Sequence, residues 1–289
     1  MSSTPQETAP NAEQVRFWND VSGPLWVEFV EEMDLHTAAF GDPALEKAAP
    51  RPGERVLDVG CGCGSTTVFL GEIVGRGGKV VGIDVSSVML QRARERVQGG
   101  GHDNVELREA DAQIADLPKD YFDLAFSRFG VMFFSDPERA FSNIASSLRV
   151  GGRITFVCWQ APEKNPWMAV PMRAALGALE VSPSAPGDGP GPFFFSDPER
   201  IRRILESADL QDVDVVSLER DSLLTGPDGL DRWAHHRILM GVGREAYEVA
   251  SEEVRERVRD AVVNSVAEFV TQDGLSMPGA AWIVQASRR

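Results

Sequence analysis

The sequence predicts an α/β protein built on a parallel sheet with helices on both faces. Three observations carry that expectation. An apolar strand runs into a glycine-rich turn at 56–67, a second strand ends in an acid at Asp84, and strand-like and helix-like segments alternate from 55 to 159.

The elements follow in order. Residues 1–11 are polar and read as a disordered tail. Residues 12–49 read as helices, with Val15, Trp18, Trp26, Phe29, Val30 and Met33 at the apolar positions, and Pro50 and Pro52 mark entry to the core. Strands are expected at 55–59, 79–83, 104–108, 122–127 and 153–159, with helices at 65–75, 87–98 and 137–148. The pentapeptide Ser-Asp-Pro-Glu-Arg occurs at 135–139 and again at 196–200. Each copy reads as a helix start, with a Ser or Asp cap, Pro in the first turn and Glu near the positive helix end. Between Gln160 and Phe195 the pattern breaks into a Pro- and Gly-rich insertion. A helix at 198–208 and a strand at 212–219 precede a second insertion, 225–276, with helices at 228–240 and 252–270; the last strand is expected at 280–286. The chain thus divides into N-terminal helices (1–50), a ligand-binding core (51–159) and a remainder (160–289) whose two insertions form a lid.

The glycine turn narrows the ligand. Gly60, Gly62 and Gly64 let the chain turn sharply and let a ligand approach the backbone. The helix beyond, opened by Ser65 and Thr66, points its free N–H groups the same way. A dinucleotide fingerprint requires its third glycine where Ser65 stands. Asp58 lies two residues before the turn, where a carboxylate repels a pyrophosphate and attracts an ammonium group. Asp84 is placed to grip a ribose. An adenosine joined to an amino-acid tail, without phosphate, describes S-adenosylmethionine.

Five segments resemble the class I S-adenosylmethionine-dependent methyltransferases, in the branch of the ubiquinone/menaquinone biosynthesis and bacterial natural-product enzymes. They are 57–62, 82–86 with Met89-Leu90 following, 110–112, 122–130 and 148–153. The resemblance implies a Rossmann-like seven-stranded sheet of order 3-2-1-4-5-7-6, the last strand antiparallel. It also implies roles. Asp58 would face the methionine ammonium, Asp84 the ribose hydroxyls, and Asp111 with the Ala112 N–H the adenine between Val85 and Met89. Gly60, Cys61, Gly62 and Thr66 would line the cofactor, with Ser127, Arg128 and Phe129 at the fourth strand end and Trp26 closing over it. Plain alternatives stand beside these: Asp58 and Asp84 as caps, Asp111 as a turn residue, Phe129 and Trp26 as core.

For the acceptor, Trp18, Phe129, Met132, Trp159, Trp167, Met168, Phe193, Phe195 and Trp233 supply a hydrophobic pocket, or else the core of the lid itself. Of the four histidines, His102 sits in a Gly-rich turn, and His36 falls within the N-terminal helices. His235 and His236, beside Trp233, are the candidates for a base or a hydrogen-bond donor, against a pair of flanking surface histidines.

Composition excludes other classes. Net charge is −15, from 29 basic and 44 acidic residues, which argues against nucleic acid. The three cysteines, two of them in the glycine turn, suggest neither a disulfide framework nor a metal site, and a reducing cytoplasm fits. No apolar run is long enough for membrane insertion. The expectation is methyl transfer to an apolar small molecule, aromatic, quinone-like or prenylated, by a protein that could form a homodimer. The rivals are a non-catalytic cofactor-binding protein of the same fold and an NAD-dependent oxidoreductase, which Asp58 and Ser65 disfavour.

Overall fold

The computed structural model describes residues 11–182 and 189–289. Apart from Asn11, which is buried, the expected tail lies outside the described residues, as does 183–188 of the first insertion.

The chain enters through α1 (Ala12–Arg16), a π-helical turn (Phe17–Val21) and α2 (Ser22–Glu28), then α3 (Val30–Ala48). Met33, His36, Thr37, Phe40, Ala44 and Ala48 recur at three- and four-residue spacing on α3 and are all buried, so one face of this helix lies against the protein. Strands β1 (Arg55–Val59), β2 (Lys79–Asp84), β3 (Val105–Glu109), β4 (Phe122–Arg128) and β5 (Leu148–Trp159) pair in parallel. Between them lie α4 (Ser65–Val74), α5 (Ser87–Gly100) and α6 (Pro137–Ser147). The strand order β3-β2-β1-β4-β5-β8-β6 is the expected one. The last strand, β8 (Gly274–Arg288), runs antiparallel to both β5 and β6 (Leu210–Thr225). A short extra strand, β7 (Val270–Thr271), forms a hairpin with β8.

Both copies of the repeated pentapeptide open helices. Asp136 accepts from the Arg139 N–H ahead of α6, and Asp197 from the Glu199 N–H ahead of α8 (Pro198–Ser207). Proline follows each cap, where its missing N–H costs nothing.

The insertions differ from expectation. The first contains a helix, α7 (Pro166–Leu179), that the prolines hide. Pro166 begins it, and Pro171 is carried inside it, buried against the protein. The second contains α9 (Leu230–Leu239), α10 (Arg244–Val249) and α11 (Glu252–Ser265). The last stops before 270, giving way to a 3-10 turn (Ala267–Phe269) and β7. Strands β6 and β8 extend well beyond 212–219 and 280–286, because each pairs with the other through Thr225 and Leu275. No helix among the described residues is long and apolar enough to cross a membrane.

Candidate functional site

A cavity of about 1100 Å³ opens where the parallel strands end. One wall is built from successive strand ends: Asp58 and Val59 of β1, Ile83 and Asp84 of β2, Ala110 and Asp111 after β3, Arg128 and Phe129 of β4 and beyond, and Trp159 of β5. The N-terminal helices, α7 and the end of α9 supply the opposite wall. Ligand pockets commonly enclose ~300–1,000 Å³, so this hollow has room for two molecules side by side.

The glycine turn allows close approach of two strand ends. Gly60 has a φ of 68°, and a Cβ there would stand 2.8 Å from the Gly130 Cα. Ser127 fastens the same junction: its Oγ donates to the Val59 carbonyl at 2.7 Å and accepts from the Gly130 N–H at 3.2 Å. Ser127 is buried there and does not line the cavity, unlike Arg128 and Phe129 beside it. Gly62 (φ 53°) holds the chain against the Met89 side chain. Gly60, Cys61, Gly62, Cys63 and Thr66 all line the hollow. Burial pushes both thiols up, Cys63 to about 12, so neither is a nucleophile.

The three acids differ in their surroundings. Asp58 is buried, and Thr67 Oγ1 donates to its Oδ2 at 2.6 Å. Burial raises its pKa to about 6 against the Thr67 hydrogen bond and the Arg128 charge, with Asp84 adding to the rise. Asp84 accepts two backbone N–H groups at 2.8 Å, Gly62 on one oxygen and Ser86 on the other. Burial outweighs these bonds and leaves its pKa raised. Asp84 is not the helix cap; Ser86 caps α5, its hydroxyl accepting from the Met89 N–H. Asp111 is engaged by Gln113, whose Nε2 reaches both carboxylate oxygens at 3.1 and 3.0 Å. Val85, Met89 and Ala112 lie along the same wall.

Arg128 reaches across to α3. Its Nη2 donates to Asp34 Oδ1 at 2.8 Å and to Ser65 Oγ at 2.5 Å. Burial works to raise the Asp34 pKa, but Arg128, Ser65 and Arg96 together hold it below the usual carboxylate value. The guanidinium thus ties α3 to the start of α4.

An aromatic compartment adjoins the acids. Phe129, held at a φ of 62°, stacks on Trp159 with ring centroids 4.1 Å apart and planes 19° apart. Trp159 also meets Trp167 at 5.0 Å, and its backbone N–H points at the Met132 sulfur. Trp167 Nε1 donates to Asn165 Oδ1 at 3.0 Å. Met168 and Phe193 line the same hollow, and Trp18 and Trp26 meet edge to face at 5.7 Å where the N-terminal helices cover it.

Several expected residues lie elsewhere. Phe195 is in the core against Phe141 and Phe156, and Trp233 is buried in the core as well; neither lines the cavity. His235 is half-buried beside Tyr247, away from the hollow. His236 is buried, stacked on Phe29 at 4.2 Å, and accepts from Arg237 Nη2 at its Nδ1. Burial first, then Arg237, lowers its pKa to about 2, so the ring is neutral. The apolar face of α9 turns these residues inward, which makes His236 neither a surface group nor a cavity base.

The cavity histidine is His36 instead. It is buried on α3, stacks on Trp159 at 5.4 Å, meets Trp167 at 4.4 Å, and shares a hydrogen bond of 2.9 Å between Nδ1 and Ser222 Oγ. Burial and then Arg237 lower its pKa to about 3. Sequence reading placed no site residue on α3 or at Arg237. The spacing of Met33, His36, Thr37 and Phe40 was the available signal, since it sets His36 on the inward face. Among the described residues, no cluster of three His, Cys, Asp or Glu could hold a metal.

Residues 56–152 match the family model described as a methyltransferase domain. This segment of the chain is a methyltransferase domain. Three curated relatives each match less than half of the chain. Aklanonic acid methyltransferase DauC of Streptomyces sp. (strain C5) is 36% identical over 46% of this chain and 57% of its own. The phosphatidylethanolamine N-methyltransferase of Cereibacter sphaeroides is 40% identical over 41% and 57%. A ubiquinone/menaquinone biosynthesis C-methyltransferase UbiE, from Teredinibacter turnerae, is 33% identical over 42% and 49%. The chain therefore spans about half the length of the curated relatives it matches. Among solved structures, the YcgJ protein of Bacillus subtilis covers 86% of this chain and 97% of its own with a TM-score of 0.56 and 20% identity. The [4+2]-cyclase SpnF covers 86% and 80% with a TM-score of 0.52 and 21% identity. These structural likenesses extend the fold beyond the methyltransferase domain to most of the chain.

Proposed function

We propose that the protein transfers a methyl group from S-adenosylmethionine to a small acceptor with an apolar body. One observation carries the reading. Asp58, Asp84 and Asp111 stand at successive strand ends along one wall of a cavity whose other compartment is Phe129, Trp159 and Trp167. The first compartment suits a charged adenosine compound and the second an apolar molecule.

The acids fit that cofactor. Asp58 is a buried carboxylate with one side-chain donor, and an ammonium group would replace the water it has lost. Asp84 is held rigidly by backbone N–H groups and keeps lone pairs for two ribose hydroxyls. Asp111, with Gln113 across it, and the backbone at Ala112 form the adenine end, with Val85 and Met89 as apolar flanks. Trp26 covers this compartment from α2.

When bound, the sulfonium supplies an electrophilic methyl group. The chain's own contribution is then alignment and the exclusion of water. Holding two reactants in line accounts for ~7–11 kcal/mol of a barrier. Trp18, Phe129, Met132, Trp159, Trp167, Met168 and Phe193 shape and dry the acceptor compartment. His36 is the neutral imidazole in that compartment, able to accept or donate one hydrogen bond without bringing a charge.

The relatives' names support the reaction class and spread over acceptors: aklanonic acid, phosphatidylethanolamine and the ubiquinone/menaquinone series. An aromatic, quinone-like or prenylated acceptor agrees best with the aromatic lining. Calorimetry with S-adenosylhomocysteine and NADH tests the first compartment; micromolar binding of the former and none of the latter is expected. Transfer of tritium from methyl-labelled cofactor to an acceptor panel tests the second. Binding of NADH without S-adenosylhomocysteine would sink the proposal.

A further inference from the structure

The acceptor compartment holds a guanidinium that meets no anion among the described residues. Arg237 lines the cavity at the end of α9, its guanidinium carbon 5.6 Å from the centre of the Trp167 ring. Its Nη2 donates to the Met33 sulfur at 3.7 Å and to His236 Nδ1 at 3.1 Å, both uncharged acceptors, and its Nε has no partner. No Asp or Glu among the described residues pairs with it. The other cavity arginines are engaged: Arg128 with Asp34 and Ser65, Arg200 with the Phe194 carbonyl and ring. Next to Arg237, against the same Trp167 ring, is His36, whose Nε2 also lacks a partner.

Such an arrangement is costly in the free protein. A charge withdrawn from water is tolerated when an opposite charge meets it. Desolvation lowers the Arg237 pKa only to about 10, so the guanidinium stays charged at neutral pH. The surroundings limit what completes it. The walls here are Met33, Trp167, Pro171, Met172 and Met240, which favour an apolar body and, among the described residues, bring no second cation to pair with a dianion.

We propose that Arg237, with His36 beside it, binds a singly ionised oxygen of the acceptor, so that the acceptor is an apolar, ring-bearing molecule carrying one carboxylate or an equally acidic enol or phenol. The proposal rests on the methyltransferase reading for the word acceptor, but the anion site itself does not depend on it. Arg237 acts as a specificity-determining residue. Its fork selects a planar oxyanion, and the Trp167 face beside it holds the adjoining ring. His36 Nε2 supplies the second hydrogen bond when Ser222 donates to Nδ1, because the ring proton then resides on Nε2.

The test is a binding series read by calorimetry, with S-adenosylhomocysteine present and absent. Benzoate, naphthoate and anthracene carboxylate are compared with the corresponding primary alcohols, and naphthyl phosphate serves as the dianion. Wild-type protein is expected to bind at least one acid at least about tenfold more tightly than its alcohol. Arg237→Met should abolish that preference while leaving the affinity for S-adenosylhomocysteine close to wild type and the melting temperature no lower; Arg237→Lys should retain part of it. Absence of an acid preference at every ring size, including absence of any binding, overturns the proposal. So does a preference that survives in Arg237→Met. Naphthyl phosphate binding more tightly than naphthoate overturns the singly charged assignment. The wild-type comparison decides the question even where the Met variant does not fold. Loss of S-adenosylhomocysteine binding with the acid preference intact would count against the methyltransferase reading alone.

Discussion

Thr67 donates its hydroxyl to Asp58 at 2.6 Å, joining the first turn of α4 to the end of β1 beneath the glycine turn. Among the described residues this is the one side-chain donor to a buried carboxylate whose pKa stands at about 6 against an ordinary 3.8. The raised value gives the direction of its pH effect. Its stabilising contribution is fully present below the unfolded value of 3.8 and is lost as pH rises through about 6. The difference is worth ~3 kcal/mol.

Asp58→Asn should therefore raise the melting temperature of the ligand-free protein above pH 6 and flatten its pH dependence between 3.8 and 6 relative to wild type. The same variant should bind S-adenosylhomocysteine at least about tenfold more weakly, since a charged partner is lost. Thermal melts across pH and calorimetry check the two halves; an Asn variant with unchanged affinity would reduce Asp58 to a loop cap.

Asp84→Ala should likewise cost at least about tenfold in S-adenosylhomocysteine affinity, because two acceptors for hydroxyl groups disappear. The backbone N–H groups of Gly62 and Ser86 also lose their partner, so some stability falls with it. Calorimetry on protein shown by circular dichroism to be folded separates the two effects.

Two glycine substitutions should act in opposite directions. Gly60→Ala places a methyl 2.8 Å from the Gly130 Cα at a φ of 68°, and should destabilise the fold and weaken cofactor binding together. Gly177→Ala lies in α7 with nothing within 4 Å of the new methyl, and should stabilise by ~0.5–1 kcal/mol. Denaturant titration of both variants checks the contrast.

His36 and His236 should remain neutral between about pH 5 and pH 8. Both pKa values are lowered from 6.5, to about 3 and about 2, so their stabilising contribution is present above 6.5 and is lost as pH falls toward those values. Histidine ring resonances followed by NMR should show neither group titrating in that window. A mid-range titration at His36 would mean that the ring is open to solvent.

Trp167→Phe should raise the acceptor KM and leave cofactor affinity unchanged, since it alters only the ring against the acceptor and the hydrogen bond to Asn165. Trp233→Phe and Phe195→Leu should lower stability and leave both ligand affinities alone, because those rings pack in the core. Steady-state kinetics beside thermal melts distinguishes the sets.

By itself the sequence determined the parallel half of the sheet, the glycine turn with Asp58 and Asp84, and the two capped helices at Ser-Asp-Pro-Glu-Arg. Each is local: strand, turn and cap chemistry act within a few residues, so their residue types are legible in order along the chain. Tertiary structure decided which aromatic and titratable side chains reach the cavity. Phe193 and Phe195 are two residues apart, yet one lines the hollow and the other is core. His236 and Arg237 are adjacent on α9, and only the arginine faces the ligand space. Such choices depend on how a helix is rotated against partners distant in sequence, as α3 is when it brings His36 to Ser222 of β6 and to Trp159 of β5. Apolar burial drives that packing, and because the hydrophobic effect has no direction of its own, shape decides between neighbouring side chains only once the elements meet.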